Sequence, residues 1–407
     1  MSGFSFRYDT PTTSTLPTTP MSLPDLLQKI HKIGEEVIRP AAADVDHNAR
    51  FPHEAIDALR RERLLSAYIP REYGGAGLSL TELVAIAQVL AQYCSSTAMI
   101  WAMHQIQIAC IVQHEQNSPF FRQFLRQAAE EQLLIASITS EVGIGGDTRS
   151  SSAAVEEFEN DCKLDKKATT TSYGAYADGF LATARRNADA PPNDQVLVLL
   201  RRLDTHLTQT SQWNTFGMRG TCSPGFHVIS TFPKEHILST SFADISAQTM
   251  VPFSHLLWAS CWSGIATDAL ARARKFMQAK ARQMRASSIP GDSRLVDASS
   301  KLQLMKSNIN DTVYEYEQIL QQDPEHREEF TSNMGFAIKL NNVKLLSSDL
   351  VLQIVQQALF ICGMAGYSET SPFSIARHLR DAYSAPLMIS NDRLAITNAA
   401  LLLVHKE

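Results

Sequence analysis

Apolar residues recur at helical spacing in two long parts of the chain, with denser, strand-like runs between them. Ser22-Leu23-Pro24-Asp25 offers an N-cap serine, a proline in the first turn and an acid three residues after the cap. Leu26, Leu27, Ile30, Ile33, Val37 and Ile38 follow at the spacing of an amphipathic helix. A second helix fits 52–64. Ser79-Leu80-Thr81-Glu82 reads as a capping box opening a long apolar helix, and helical character continues, with interruptions, to about Leu134. After that the period changes. Residues 133–139 form a compact apolar run, and 195–200, 226–231 and 237–241 are rich in β-branched or apolar side chains. Ala190-Pro191-Pro192-Asn193 predicts an exposed turn. From about Val251 the helical period returns, with Trp262, Ile265, Ala266, Ala269, Leu270, Ala273, Phe276 and Met277 on one stripe. Further long helices fit 298–322 and 334–362, and a last one runs from about Pro386.

This pattern predicts a mainly α protein with a central β-domain. A tail (1–21) precedes an all-helical domain (22–135), a small antiparallel sheet or barrel (136–248) and a helical bundle (249–407). Residues 1–20 are rich in Thr, Ser and Pro and predict a floppy end rather than a targeting segment. A formal charge of -5 gives no electrostatic case for nucleic acid or an anionic membrane. No apolar run is expected to span a bilayer. The six cysteines are scattered, without Cys-x-x-Cys or Cys/His ligand spacing. They predict no metal site, buried thiols and a reducing, cytoplasmic setting.

Four segments carry candidate chemistry. Pro70-Arg71-Glu72-Tyr73-Gly74-Gly75-Ala76-Gly77-Leu78 is a glycine-rich loop. Ser137-Ile138-Thr139-Ser140-Glu141-Val142-Gly143-Ile144-Gly145-Gly146-Asp147 combines hydroxyls with small residues. The third is Trp213-Asn214-Thr215-Phe216-Gly217-Met218-Arg219-Gly220-Thr221-Cys222-Ser223. The fourth begins Gly363-Met364-Ala365-Gly366-Tyr367 and continues to Arg380-Asp381-Ala382. In this order, on this element pattern, they resemble the acyl-CoA dehydrogenase family over about residues 22–405.

That resemblance implies the family's fold and a bound flavin, FAD rather than FMN, possessed of weaker contacts than usual. Thr139, Ser140, Gly145 and Gly146 would face it, with Gly146 in place of a usual serine. Thr169 takes the place of a tryptophan, and Thr171 would stand near flavin N5. Lys280, with Arg282 close by, matches an arginine that reaches the flavin pyrophosphate of a neighbouring subunit. Gly363 and Met364 belong to a turn that approaches the pyrophosphate across a dimer interface, and Phe360 replaces a glutamine. The 213–223 turn and Arg380-Asp381 are structural in the family.

The family's catalytic glutamate lies nine residues beyond that arginine, which here is Ile389. Isoleucine cannot take a proton, although its backbone N–H can still polarise a thioester carbonyl. An alternative base position falls at Ser254 and His255, and Met99 and His104 are candidates for the substrate pocket. The resemblance therefore supports an acyl-thioester dehydrogenase with a relocated or absent base. It would act on a CoA or carrier-protein thioester, pass electrons to a flavoprotein or O2, and form a homodimer or homotetramer. A flavin monooxygenase using reduced flavin and O2, and a flavin-free binding protein, stay open as alternatives.

Overall fold

The computed structural model describes residues 21–144, 147–159, 161–284 and 292–405. Gly145, Gly146 and the 1–20 tail lie outside them. Helices α1 (Leu23–Ile33), α2 (Arg39–His47), α3 (His53–Arg61), α4 (Leu80–Ala91), α5 (Ser95–His114) and α6 (Pro119–Glu131) make the first part. Ser22 caps α1 by accepting the Asp25 N–H, and both halves of the Ser79/Glu82 capping box open α4. Helix α5 is buried almost all round, so it runs through the interior.

Seven strands follow among the described residues: β1 (Ile135–Ile138), β2 (Val155–Phe158), β3 (Asp161–Ala168), β4 (Gly179–Arg185), β5 (Gln195–Arg201), β6 (Thr205–Gln209) and β7 (Phe226–Pro233). They form two sheets, ordered β1-β4-β5 and β2-β3-β7-β6. All pairs are antiparallel except β1 with β4, which run parallel. The 190–193 turn joins β4 to β5. The expected strand at 237–241 is not one. Ile237 makes a single bridge to Val198, and the Ser241 hydroxyl accepts the Asp244 N–H (3.2 Å), starting helix α7 (Phe242–Ile245). Local capping outweighs β-branching there.

The remaining helices are α8 (Val251–Met284), α9 (Asp292–Leu320), α10 (Pro324–Thr331), α11 (Met334–Cys362), α12 (Met364–Tyr367), α13 (Ala376–Ala382) and α14 (Asn391–Leu402). Helix α11 packs most extensively on α8 and α9. Pairing of Asn341 with Asn398 and of Lys344 with Asn391 lays α14 antiparallel along it. Contrary to the sequence expectation, α11 is long and apolar enough to cross a membrane by length and composition. Half of its apolar window is buried in the bundle. Two apolar clusters among the described residues each join helices to strands.

Candidate functional site

Strand β1 delivers Thr139 and Ser140, both half-buried, to the end of β3. The Ser140 hydroxyl accepts the Thr170 N–H (3.0 Å) and donates to the Thr170 carbonyl (2.7 Å), stapling the two strand ends. The loop after Ser140 is held from beneath by Glu141. Its buried carboxylate accepts from the Ser151 hydroxyl (2.7 Å), the Ala153 N–H (2.7 Å), and the Ser152 N–H (3.1 Å) and hydroxyl. Lys166 points inward from β3, fully enclosed, 3.4 Å from the same carboxylate. It donates to the Thr183 carbonyl (2.6 Å) and hydroxyl (2.9 Å). Burial pushes the Glu141 carboxyl up, but the Ser152 and Ser151 hydroxyls and the Lys166 charge outweigh it and hold the group below its ordinary value. Burial pulls the Lys166 ammonium down to about 8 against the pull of Glu141.

The threonines after β3 divide. Thr169 and Thr170 are exposed, whereas Thr171 is fully buried and its hydroxyl has no partner among the described residues. A buried hydroxyl without a partner marks a place where a polar group is missing.

The C-terminal segment is anchored by α13. Buried Asp381 accepts the Met218 N–H (2.7 Å), and Arg380 reaches Asp46 and Glu369. The chain then turns on itself: the Ser390 N–H donates to Leu387 O (3.1 Å) and the Asn391 N–H to Pro386 O (3.0 Å). The Ile389 N–H between them has no backbone acceptor among the described residues. Ile389 and Ser390 are both left-handed, at φ 55° and 47°. For a β-branched residue that costs about 1–3 kcal/mol and needs its surroundings to enforce it. Asp147, in the segment that follows Ser140, feels a charge from the helix that follows this turn. Burial raises its carboxyl, and the Arg149 hydrogen bonds with the charges of Arg149 and Arg393 outweigh burial and leave it lowered. The pull of Arg393 puts the first turn of α14 within electrostatic reach of the 139–152 loop.

Lys280, Gly363 and Met364 meet in one cleft of about 460 Å3, together with Phe276, Arg294 and Phe360. Arg294 comes from α9, and sequence reasoning missed it because nothing local links it to α11. Its guanidinium lies 5.2 Å over the Phe360 ring and donates to Gln357 (2.8 Å). Gly363 is left-handed (φ 56°), with open space where a Cβ would stand, so its backbone faces the cleft. Arg282 is exposed, and the cleft walls do not include it.

The other candidates lie inside the protein. Met99 is packed in the core. His104, expected on a pocket wall, is fully buried. Its Nε2 meets Leu65 O (2.7 Å) and its Nδ1 accepts the Ile135 N–H (3.0 Å), so both ring nitrogens bind backbone. Ser254 and His255 are buried in α8. Burial, with the Lys344 charge, pulls His255 down to about 3. Its Nδ1 has no partner among the described residues, but it accepts a proton about 10⁴-fold less readily than a group titrating at pH 7. A larger cleft of about 1020 Å3 is lined by Arg39, Arg219, Arg272, Arg377 and Arg380. None of the described residues matched to a flavin lines it.

A family model described as acyl-CoA dehydrogenase, N-terminal domain, matches residues 24–115. A probable acyl-CoA dehydrogenase, fadE25, of Mycobacterium leprae is 23% identical over 88% of this chain and 89% of its own. Among solved structures, butyryl-CoA dehydrogenase of Megasphaera elsdenii superposes with a TM-score of 0.79 at 19% identity, covering 97% of this chain and all (100%) of its own. FMN-bound TdsC of Paenibacillus sp. A11-2 superposes with a TM-score of 0.81 at 18% identity, covering 93% of this chain and 97% of its own.

Proposed function

The chain belongs to the acyl-CoA dehydrogenase superfamily, and on that premise we propose that it is an FAD-dependent oxidoreductase acting on an acyl thioester. The observation that carries this reading is the Ile389 N–H, without a backbone acceptor among the described residues, in an enforced left-handed turn. The residues fit a flavin. Ser140 and the exposed threonines after β3 would flank its ring, and Thr171 holds an orphan hydroxyl. Lys280, Arg294 and the open backbone of Gly363 suit a pyrophosphate, supplied by a second copy in a homo-oligomer.

When bound, the flavin supplies the two-electron acceptor. The protein's part is at the carbonyl. The Ile389 N–H donates to the thioester oxygen, where negative charge grows as the α-proton leaves, and one such donor is worth about 10²–10³ in rate. The Ile389 side chain takes no proton, and buried His255 is a weak base at neutral pH. With no strong base in place, the α-proton would pass to solvent water, and the Ile389 donor would lower the cost of that transfer. Electrons leave to a flavoprotein acceptor or to O2.

Anaerobic titration of the flavin-loaded protein with a panel of acyl thioesters tests this. Bleaching of the visible flavin bands is the expected result. No bleaching by any thioester, with turnover only on reduced flavin plus O2, would transfer the fold to oxygen chemistry instead. The pyrophosphate assignment has its own test. Replacing both Lys280 and Arg294 with Ala is expected to weaken FAD binding by about 10–100-fold, at roughly 1–3 kcal/mol for lost charged contacts. FMN, which lacks the pyrophosphate, is expected to change little. Fluorescence titration measures both, and equal losses for FAD and FMN would remove the two cations from that role.

A further inference from the structure

Lys344, in the middle of α11, is fully buried. Its ammonium donates to Asn391 Oδ1 (2.5 Å) and stands 5.8 Å from the centre of the Trp262 ring on α8. Burial pulls it down to about 8, and Asp349, on its own helix, attracts it without forming an ion pair. His255 on α8 also feels its charge, and stays neutral.

Asn391 is gripped at both ends of its amide. Oδ1 accepts from Lys344, while Nδ2 donates to the Ser348 hydroxyl (2.9 Å). Lys344 and Ser348 are four residues apart and so share one helix face. The ammonium admits only one orientation of the amide, because the flipped NH2 would oppose it. Asn391 directly follows the left-handed pair Ile389–Ser390, and its own N–H closes the turn onto Pro386. The clamp is therefore what over-determines a strained turn. A neutral side chain would make the same clamp without the strong penalty of an enclosed, unpaired charge. The charge itself is the informative feature: behind a turn that presents an N–H, it raises the potential felt by negative charge in front.

We propose that Lys344 is a positioning residue of the oxyanion site. Through Asn391 it holds the Ile389 N–H in place, and its ammonium favours negative charge on the bound carbonyl oxygen. The proposal rests on the Ile389 N–H being the thioester donor.

A 3-oxoacyl thioester tests it. The α-protons of this ligand are acidic and its enolate absorbs in the near ultraviolet, so the pH at which the bound ligand ionises can be read directly. On the flavin-loaded wild type that pH is expected to lie at least about one unit below the free value, a tenfold effect. The advantage should fade above about pH 8 as Lys344 loses its proton. Lys344→Met is expected to abolish most of the shift and its pH dependence, and Lys344→Arg to keep much of it. Asn391→Ala is expected to diminish it with the lysine still present. A midpoint equal in wild type and Lys344→Met overturns the proposal. If Lys344→Met does not fold, an unchanged midpoint in Asn391→Ala overturns it. A wild type that binds no thioester, or binds one without lowering its ionisation, overturns the Ile389 reading and this proposal with it. A wild-type shift that survives in the variants overturns this proposal alone.

Discussion

A Glu141→Ala protein is expected to be less stable than the wild type by about 3–5 kcal/mol at pH 7, the range for breaking a buried pair by removing one partner. The side chain removed is the sole ion-pair partner of enclosed Lys166 among the described residues, and accepts from two serine hydroxyls and two backbone N–H groups. All are stranded together. Denaturant unfolding measures the loss, and a change under about 1 kcal/mol would show that the pair matters little. Glu141 is held below its ordinary value of 4.5 in the fold. Its contribution is therefore present above pH 4.5 and is lost as pH falls through the lower folded value. The acid limb of wild-type unfolding should flatten in the variant. Glu141→Ala combined with Lys166→Met should recover much of the loss, because the orphaned ammonium goes too. Flavin affinity should fall in the single variant as well, since Glu141 fixes the loop that follows Ser140.

This pair also shows where sequence stops being legible. The strand carrying Lys166 alternates charged and apolar positions outward and inward, except that a lysine occupies an inward place. Pattern reading hides such a strand, because the inward lysine is explained only by a carboxylate arriving from another loop. Lys344 is concealed in the same way within an apolar helix whose limits, 334–362, are plain from its period. Its role depends on Asn391, which reaches it only through tertiary packing. Local signals survived well: the caps at Ser22 and Ser79 act as their spacing predicts. The family motifs bring Lys280, Gly363 and Met364 to one cleft, but Arg294 joins them from a separate helix. Burial is the least legible property. His255 reads as an alternative base from the family resemblance and His104 as a pocket residue, and enclosure made them core.

Gly217→Ala is expected to damage both stability and chemistry, although residue 217 lies far along the chain from the Ile389 turn. A Cβ at Gly217 would sit 2.1 Å from Arg380 O, 2.3 Å from the Arg380 carbonyl carbon and 2.8 Å from Asp381 N. These are backbone atoms that cannot rotate aside, so α13 must shift. Overpacking of this kind costs about 1–3 kcal/mol, occasionally more. The shift also strains the bond from Met218 N–H to Asp381 and the pairing of Arg380 with Asp46. Those contacts set where the chain leaves α13, and the Ile389 turn lies nine residues beyond Arg380. A donor that must meet a carbonyl oxygen tolerates little displacement, and 1 Å of misplacement can cost about 10² in rate. Flavin reduction by a thioester should therefore slow by about that factor. If Gly217→Ala reduces its flavin as fast as the wild type, the α13 junction does not position the turn, and the clamp from α11 alone must do so.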